Sequence, residues 1–433
     1  MKMEKDYHYI QEVLSPDFVG KRVKIRGWVY RQRNSKKMAF IVLRDGTETL
    51  QCTGKKDQLS EELFNMLCEV KYESSVIIEG NIKEDNRAPN GYEMQIENFT
   101  IIQMAETFPI QKDQSDSFLL DYRHLWVRSQ KLTHSFRVKA KLLQGAREYF
   151  DQQGYVEMTP PIITGSSCEG GSTLFELNYF GKKAFLSQSA QLYLETLIFA
   201  HQNVYSLTPS FRAEKSRTNR HLAEYWHLEA EAAFLDLNGI INFEDGLVCA
   251  MIHKVAQDEP KALKALGRDP QDLLNIEGPF DRIHYDEAID IINKKGVEIP
   301  WGEDFGTHHE RALTEDLKSP VHVTHFPRKI KAFYMKTLDG KYAEANDLLA
   351  PEGYGELIGS SQREEDINVI IDNLKRDGSK IADYEWYLDL RRYGSVQHSG
   401  FGMGIERMMR WVCNLDHIRD TIAYPRVMNR NTP

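Results

Sequence analysis

Two stretches of the chain set an arginine beside an acid in a β-prone or glycine-rich frame. Phe211-Arg212-Ala213-Glu214 leads into Arg220-His221-Leu222-Ala223-Glu224. Near the end of the chain, Gly400-Phe401-Gly402-Met403-Gly404-Ile405-Glu406-Arg407 answers it. A guanidinium matches phosphate oxygens in a two-pronged way and does not lose its charge. An arginine on each side of a polyphosphate would neutralise charge that develops during phosphoryl chemistry. Taken singly, each arginine is more ordinarily a surface ion pair, with Glu214 or with Glu406.

Further acids fall in suggestive places. Glu229 and Glu231, in His227-Leu228-Glu229-Ala230-Glu231, share one face if the segment is a strand. Adjacent carboxylates repel unless cations or donors lie between them, so the pair either binds an amine, amide or metal or is open to solvent. Asp347 and Glu356 bracket the Pro/Gly-rich turn Ala350-Pro351-Glu352-Gly353-Tyr354-Gly355, and Arg363 follows. Such a pair suits Mg²⁺, which takes few protein carboxylates and leaves room for phosphate oxygens. The small-residue loop Ser166-Ser167-Cys168-Glu169-Gly170-Gly171-Ser172 is either a lid over a small substrate or an ordinary surface loop.

The elements that must position these residues are legible in outline. Residues 1–105 give strands near 23–30, 39–45, 49–52, 74–82 and 92–99, with a helix near 60–70. Five strands with a helix between the third and fourth predict an OB-fold barrel. Lys and Arg crowd the segment from Lys21 to Arg44 with no acid before Asp45, and Trp28, Tyr30 and Phe40 lie among them. That interleaving suits a single-stranded nucleic acid, or else a merely solvated basic face. Residues 106–130 read as a polar hinge. From Lys131, Val138, Leu142, Ala146 and Phe150 recur at helical spacing until Gly154, and a strand then runs to Pro160-Pro161. Strands are expected at 184–187, 204–207, 223–234, 321–324 and 332–335, and helices at 190–201 and 237–257. Residues 258–330 read as an insertion. The fold class is α+β, a barrel followed by an antiparallel sheet flanked by helices. Neither a dinucleotide fingerprint nor a P-loop is present to carry phosphates.

With 433 residues the chain is long enough for two or three domains. Its net charge of −9 argues against an overall basic coat but leaves room for a local basic patch. No apolar run is long enough to span a bilayer, so no membrane association is expected. The five cysteines are scattered without a CxxC pair, which points to a reducing, cytoplasmic setting and away from structural zinc or a disulfide framework.

Together these stretches resemble the class II aminoacyl-tRNA synthetases, in the subgroup holding the aspartyl, asparaginyl and lysyl enzymes. The helix and strand ending at Pro161 are similar to the first class motif, a dimer-interface element. Phe211 to Phe234 is similar to the second, and Gly400 to Arg407 to the third. The resemblance implies an N-terminal barrel that binds the anticodon, a catalytic domain over 131–433, ATP and Mg²⁺ as cofactors, tRNA as partner and a homodimer. It implies that Arg212 grips the ATP α-phosphate, that His221 and Arg407 hold the outer phosphates, and that Arg220, Glu214 and Glu356 complete the ATP site. Asp347 and Glu356 would hold Mg²⁺. Glu169, Ser189 and Gln191 would hold the substrate α-amino group, and Arg363 would meet its side chain. In the barrel, Arg33, Phe40 and Gln51 match positions that read the anticodon, Phe40 by stacking.

The amino acid is set by two positions. Aspartyl enzymes carry Gln-Ser-Pro-Gln with a lysine three positions on, which pairs with the substrate carboxylate. Here the run is Gln188-Ser189-Ala190-Gln191-Leu192-Tyr193-Leu194, and leucine cannot neutralise a carboxylate. Glu229 would accept a hydrogen bond from a carboxamide NH₂ and repel a carboxylate. The expected reaction is ATP-dependent ligation of asparagine to tRNA(Asn) through an asparaginyl-adenylate. The alternatives are an aspartyl enzyme or an asparagine synthetase-like relative.

Overall fold

The computed structural model describes residues 7–165, 173–215 and 218–433. The chain divides into two compact units, 1–116 and 117–433. In the first, five strands close a barrel: β1 (Arg22–Asn34), β2 (Met38–Arg44), β3 (Thr49–Lys55), β4 (Ser75–Glu84) and β5 (Tyr92–Gln103), in the order β1-β2-β3-β5-β4. Alternation along the strands sends Ile25, Val29, Ile41, Leu43, Val76 and Ile78 inward to one core. The helix Glu61–Glu69 starts at Ser60, whose hydroxyl accepts from the Leu63 amide, and it buries Phe64 and Leu67.

The second unit begins with the helix Gln130–Gln152, capped by Ser129 and ended as expected at Gly154, which takes a positive φ of 74°. Strand β6 (Val156–Glu157) follows. A small sheet of β7 (Ile163–Thr164), β8 (Glu176–Tyr179) and β9 (Lys182–Leu186) comes next. The main strands are β10 (Asn203–Phe211), β11 (Glu224–Ala233), β12 (Asp281–His284), β13 (Val321–Thr324), β16 (Ala345–Ala350), β17 (Gly355–Gln362) and β18 (His398–Gly404). The short hairpin β14 (Thr337–Leu338) and β15 (Tyr342–Ala343) stands apart. The main sheet has eight strands in the order β12-β13-β16-β17-β18-β11-β10-β6. It is antiparallel except at its two ends, where β12 runs parallel to β13 and β6 to β10.

The period of two separates the sheet's faces. Leu228, Ala230, Phe401, Met403, Ile358 and Leu348 point into one apolar core with the helices Gln130–Gln152, Leu237–Asp258 and Ile405–Val412. Phe150 stacks on Tyr205 there, with ring centroids 4.0 Å apart. Their neighbours along the strands point the other way. Register lines up Asp347, Gly359, Gly402, Glu229 and Ser206 in one row, and Ala345, Ser361, Gly400, Glu231 and Val204 in the next.

The structure adds to or departs from the expected elements at three places. Ala332–Met335 is not a strand. Phe333 and Tyr334 form a turn that packs both rings into a cluster with Leu374, Tyr384 and Tyr387, and only Met335 makes a single bridge, to Arg363. The stretch 258–330, read as an insertion, carries besides the expected strand at 321–324 (β13) a further one, β12, at the edge of the main sheet. The polar hinge expected at 106–130 already carries the short helices Asp116–Asp121 and Arg123–Trp126. Arg123 is buried there and donates to the carbonyls of Arg419, Ile422 and Ala423. Among the described residues no helix is long and apolar enough to cross a membrane.

Truncating Phe150 to alanine is expected to destabilise the second unit by about 3–5 kcal/mol. Urea unfolding followed by helical circular dichroism reads this as a lowered midpoint, and an unchanged midpoint would contradict the packing described.

Candidate active site

On the polar face of the sheet, a cleft lies between the end of β10, the start of β11, β17 and the junction of β18 with its helix. Arg212, Glu214, Arg220, His221, Glu356 and Arg407 all line it, with Tyr225 and His227. Arg212 reaches it from just past the end of β10, where its amide donates to the Ala223 carbonyl, and its guanidinium lies 5.9 Å from the Tyr225 ring centroid. Arg407 enters from the first turn of the helix Ile405–Val412 and donates to Glu356 Oε2 at 2.8 Å. Glu406 does not pair with Arg407. It points to the other side, where Lys139 donates to Oε1 at 2.5 Å and the Trp226 amide to Oε2 at 2.9 Å. The simple surface ion pair suggested for Arg407 and Glu406 is therefore overturned, because residues one apart on a helix do not share a face.

Arg220 is buried, and its Nη1 donates to Glu310 Oε2 at 2.6 Å. The same oxygen accepts from the Glu356 amide at 3.1 Å. Gly355 sits against this pair with φ of 85°, and a methyl group there would lie 2.2 Å from the Glu310 carboxylate. His221 has Glu214 at 3.9 Å. Burial, reinforced by the Arg407 charge, pushes the His221 pKa below the usual histidine range.

Asp347 and Glu356 lie on neighbouring strands and converge over Gly359. A methyl group on Gly359 would lie 3.3 Å from Glu356 Oε1 and 3.8 Å from Asp347 Oδ1. Lys331 Nζ donates to both Asp347 oxygens, at 3.1 and 2.9 Å. Burial and the nearby Glu356 push Asp347 up, against the pull of Lys331. Glu356 is held down, because Arg407 and Lys331 outweigh its burial. Among the described residues no group of three or more His, Cys, Asp or Glu forms a metal-binding cluster. Two hard carboxylates converging over a glycine nevertheless fit Mg²⁺, which is satisfied by one or two of them plus phosphate oxygens and water.

Further along the same face lies an inner pocket. Glu229 is buried, accepts from the Ser189 hydroxyl and from the Ala190 amide at 2.9 Å, and has His227 Nδ1 at 3.4 Å. Burial pushes its pKa up to about 7. Arg363 donates to both oxygens of Glu231, through Nε at 3.1 Å and through Nη2, and its Nη1 donates to Ser361 at 2.6 Å. Its guanidinium is 5.2 Å from the Tyr334 ring centroid. Burial disfavours the Arg363 charge, but Glu231 more than restores it. Neither glutamate is open to solvent, so that bland reading is overturned. The repulsion between them is answered from within, by Arg363 on one and hydrogen-bond donors on the other. Gly400 makes this possible, since a methyl group there would lie 2.2 Å from the Glu231 carboxylate. Gln191 donates to Glu195 at 3.1 Å, and its amide donates to Ser189 at 3.1 Å. Leu194 is wholly buried among Ala190, Ile198, Val204 and Ala233.

In the barrel, the Arg33 guanidinium lies 4.6 Å from the Phe40 ring centroid on adjacent strands. Gln51, on β3, donates to Glu93 at 3.3 Å. These three form one partly exposed face.

The six residues expected around ATP thus come together, as do Ser189, Gln191, Glu229 and Arg363. Glu169 and the rest of the loop 166–172 lie outside the described residues. Tyr225 and His227 were missed, although they stand at period two from Glu229 and were within reach of that pattern. Glu310 and Lys331 were missed for want of any local signal. They lie in helix and loop sequence far from their partners, and only the fold brings them in.

This geometry agrees with the comparisons to known proteins. Residues 115–428 match the family described as tRNA synthetases class II (D, K and N), and residues 23–102 match the OB-fold nucleic acid binding domain. The chain belongs to the class II tRNA synthetases of that group. Within it, the chain is 52% identical to an asparagine–tRNA ligase of Thermococcus kodakarensis, over 97% of this chain and 98% of that one. The crystal structure of asparaginyl-tRNA synthetase from Pyrococcus horikoshii complexed with asparaginyl-adenylate superposes with a TM-score of 0.95 at 48% identity, covering 100% of both chains. The Entamoeba histolytica asparaginyl-tRNA synthetase superposes with a TM-score of 0.89 at 34% identity, covering 96% of this chain and 97% of that one.

Because Glu229 takes up a proton on folding, stability falls as pH rises from about 4.5, its ordinary value, through about 7. Glu229→Gln is expected to flatten that fall in denaturant titrations across this pH range. A variant with the slope of the unaltered protein would contradict the burial of an ionisable group here.

Proposed function

We propose that the protein ligates asparagine to tRNA(Asn) at the expense of ATP, through an asparaginyl-adenylate. The observation that carries the reading is the inner pocket. A buried Glu229 stands there as an acceptor and Arg363 as a donor already neutralised by Glu231, while Leu194, at the chain position where the aspartyl enzymes carry lysine, is packed in an apolar cluster and brings no cation. A carboxamide offers an N–H to Glu229 and an oxygen to Arg363, whose five N–H groups exceed its bonds to Glu231 and Ser361. A carboxylate would meet Glu229 with like charge in a dry site. The alternative of an aspartyl enzyme is not favoured, and neither is an asparagine synthetase-like relative without an anticodon barrel, because residues 23–102 form such a barrel.

In the first step the asparagine carboxylate attacks the ATP α-phosphorus in line and pyrophosphate leaves. Arg212 holds the α-phosphate and stabilises its added charge. Arg407 and His221 hold the outer phosphates, with Arg220 kept in place by Glu310. Glu214, at the mouth of the cleft, faces the adenine and the arriving tRNA end. Ser189, Gln191 and Glu169 hold the substrate α-amino group, which aligns the carboxylate for attack. Mg²⁺, held by Asp347 and Glu356, would supply charge neutralisation to the phosphate oxygens. In the second step the terminal ribose hydroxyl of the tRNA attacks the acyl carbonyl and AMP leaves. No side chain becomes a covalent nucleophile. Arg33, Phe40 and Gln51 read the anticodon by stacking and edge hydrogen bonds.

The homodimer implied by the first motif belongs to this reading, as does a cytoplasmic setting, which the free thiols of Cys52, Cys68, Cys249 and Cys413 support. ATP–pyrophosphate exchange tests the whole reading. Asparagine is expected to support exchange and aspartate not. Arg212→Ala is expected to lose at least about 100-fold in rate while keeping its fold. Preference for aspartate, or an active and folded Arg212→Ala protein, would overturn the assignment.

A further inference from the structure

Behind the inner pocket lies a second buried polar cluster with no part in the steps above. Glu195, on the helix Gln191–His201, is wholly buried. Its Oε2 accepts from the Tyr387 hydroxyl at 2.7 Å and from Arg391 Nη2 at 3.2 Å, and lies 2.9 Å from His398 Nε2. Its Oε1 accepts from Gln191 Nε2 at 3.1 Å. A carboxylate surrounded by donors in this way is an ionised one. Burial alone would raise its pKa, but His398, Arg391 and Arg363 hold it well below the usual carboxylate range.

The cluster touches the pocket at two points. Gln191, which Glu195 orients, lies beside Ser189, the residue that donates to Glu229. His398 is joined to Arg363 through the backbone, since the Arg363 amide donates to the His398 carbonyl at 2.9 Å. The charge of Glu195 also reaches Arg363 and Glu231 directly. Leu194 and Glu195 are neighbours with opposite tasks. Leu194 packs into an apolar cluster, while Glu195 faces Tyr387, Arg391 and His398.

We propose that Glu195 is a specificity-determining positioning residue, whose negative charge cancels Arg391 behind the pocket and so withholds cationic attraction from a substrate carboxylate. The proposal rests on the reading of this pocket as an asparagine site. Arg363 is already balanced by Glu231, and the Glu195 carboxylate answers both Arg391 and the His398 ring, of which Arg391 carries the fixed charge. Removing the Glu195 charge leaves that cation uncompensated in a low-dielectric setting, where a unit charge acts strongly over several ångströms. A carboxylate gains from that field and a carboxamide does not. Specificity here is a difference between two affinities, and Glu195 acts on the unwanted one.

The experiment is ATP–pyrophosphate exchange by the full chain, with asparagine as substrate and aspartate as competitor. The readout is the ratio of the aspartate Ki to the asparagine KM. Glu195→Gln keeps the shape and removes the charge, and is expected to lower that ratio at least about tenfold. Glu195→Asp keeps the charge and is expected to hold the ratio near that of the unaltered protein. A purely structural role would weaken both ligands in proportion, so a ratio within about twofold of the unaltered protein in folded Glu195→Gln overturns the proposal. If Glu195→Gln does not fold, Arg391→Gln decides. It removes the cation, and the ratio must then rise; an unchanged or lowered ratio overturns the proposal. Absence of asparagine-dependent exchange by the unaltered protein would instead overturn the reading of the pocket, and the role of Glu195 with it.

Discussion

The pairing of β11 with β18 sets Glu229 opposite Gly402 and Glu231 opposite Gly400. A strand has two faces, so a slip of β11 by one residue would turn the glutamates into the apolar core and Leu228 and Ala230 out of it. The apolar set is large and holds the register firmly. The acidic side of the pairing is possible only because the facing strand carries glycine at every second position. Gly400 leaves the volume that the Glu231 carboxylate fills, and Gly402 leaves the volume beside the His227 ring. The glycine alternation near the end of the chain is therefore a matter of space across a sheet.

That register gathers several carboxylates in a dry setting, where each one left unpaired would carry a heavy desolvation penalty. The structure answers every one with a particular partner. Glu231 takes Arg363, Glu195 takes Arg391 and Tyr387, Glu356 takes Arg407, Asp347 takes Lys331 and Glu310 takes Arg220. Glu229 differs in having hydroxyl and amide donors at its oxygens, with His227 beside it. Burial pushes it up to about 7, as it also pushes up Glu231 despite the Arg363 pairing.

The same arrangement divides the work along the sheet. Towards β16 and β17, arginines and converging carboxylates suit phosphates and a hard cation. Towards β10 and the helix Gln191–His201, buried donors and acceptors suit a small polar side chain. His227 lies between, lining the phosphate cleft and standing 3.4 Å from Glu229. The barrel adds the basic and aromatic face of Arg33 and Phe40, made by the strand alternation that keeps Ile41 and Leu43 inside.

Sequence by itself determined much of this. The strand pattern and the helix at Glu61–Glu69 gave away the barrel, and the arginine-bearing stretches marked the cleft that their six residues line. Glu229 and Glu231 were legible because a period of two is a local property. What the tertiary structure decided is which charge answers which. Arg407 looked paired with its chain neighbour Glu406, yet helix geometry turns that acid to Lys139 and gives Arg407 to Glu356. Glu310 stands 90 positions from Arg220, and Glu195 196 positions from Arg391. No local spacing encodes such pairs, because a buried ion pair is fixed by the packing that excludes water from it, and that packing exists only once the distant strands and helices have met.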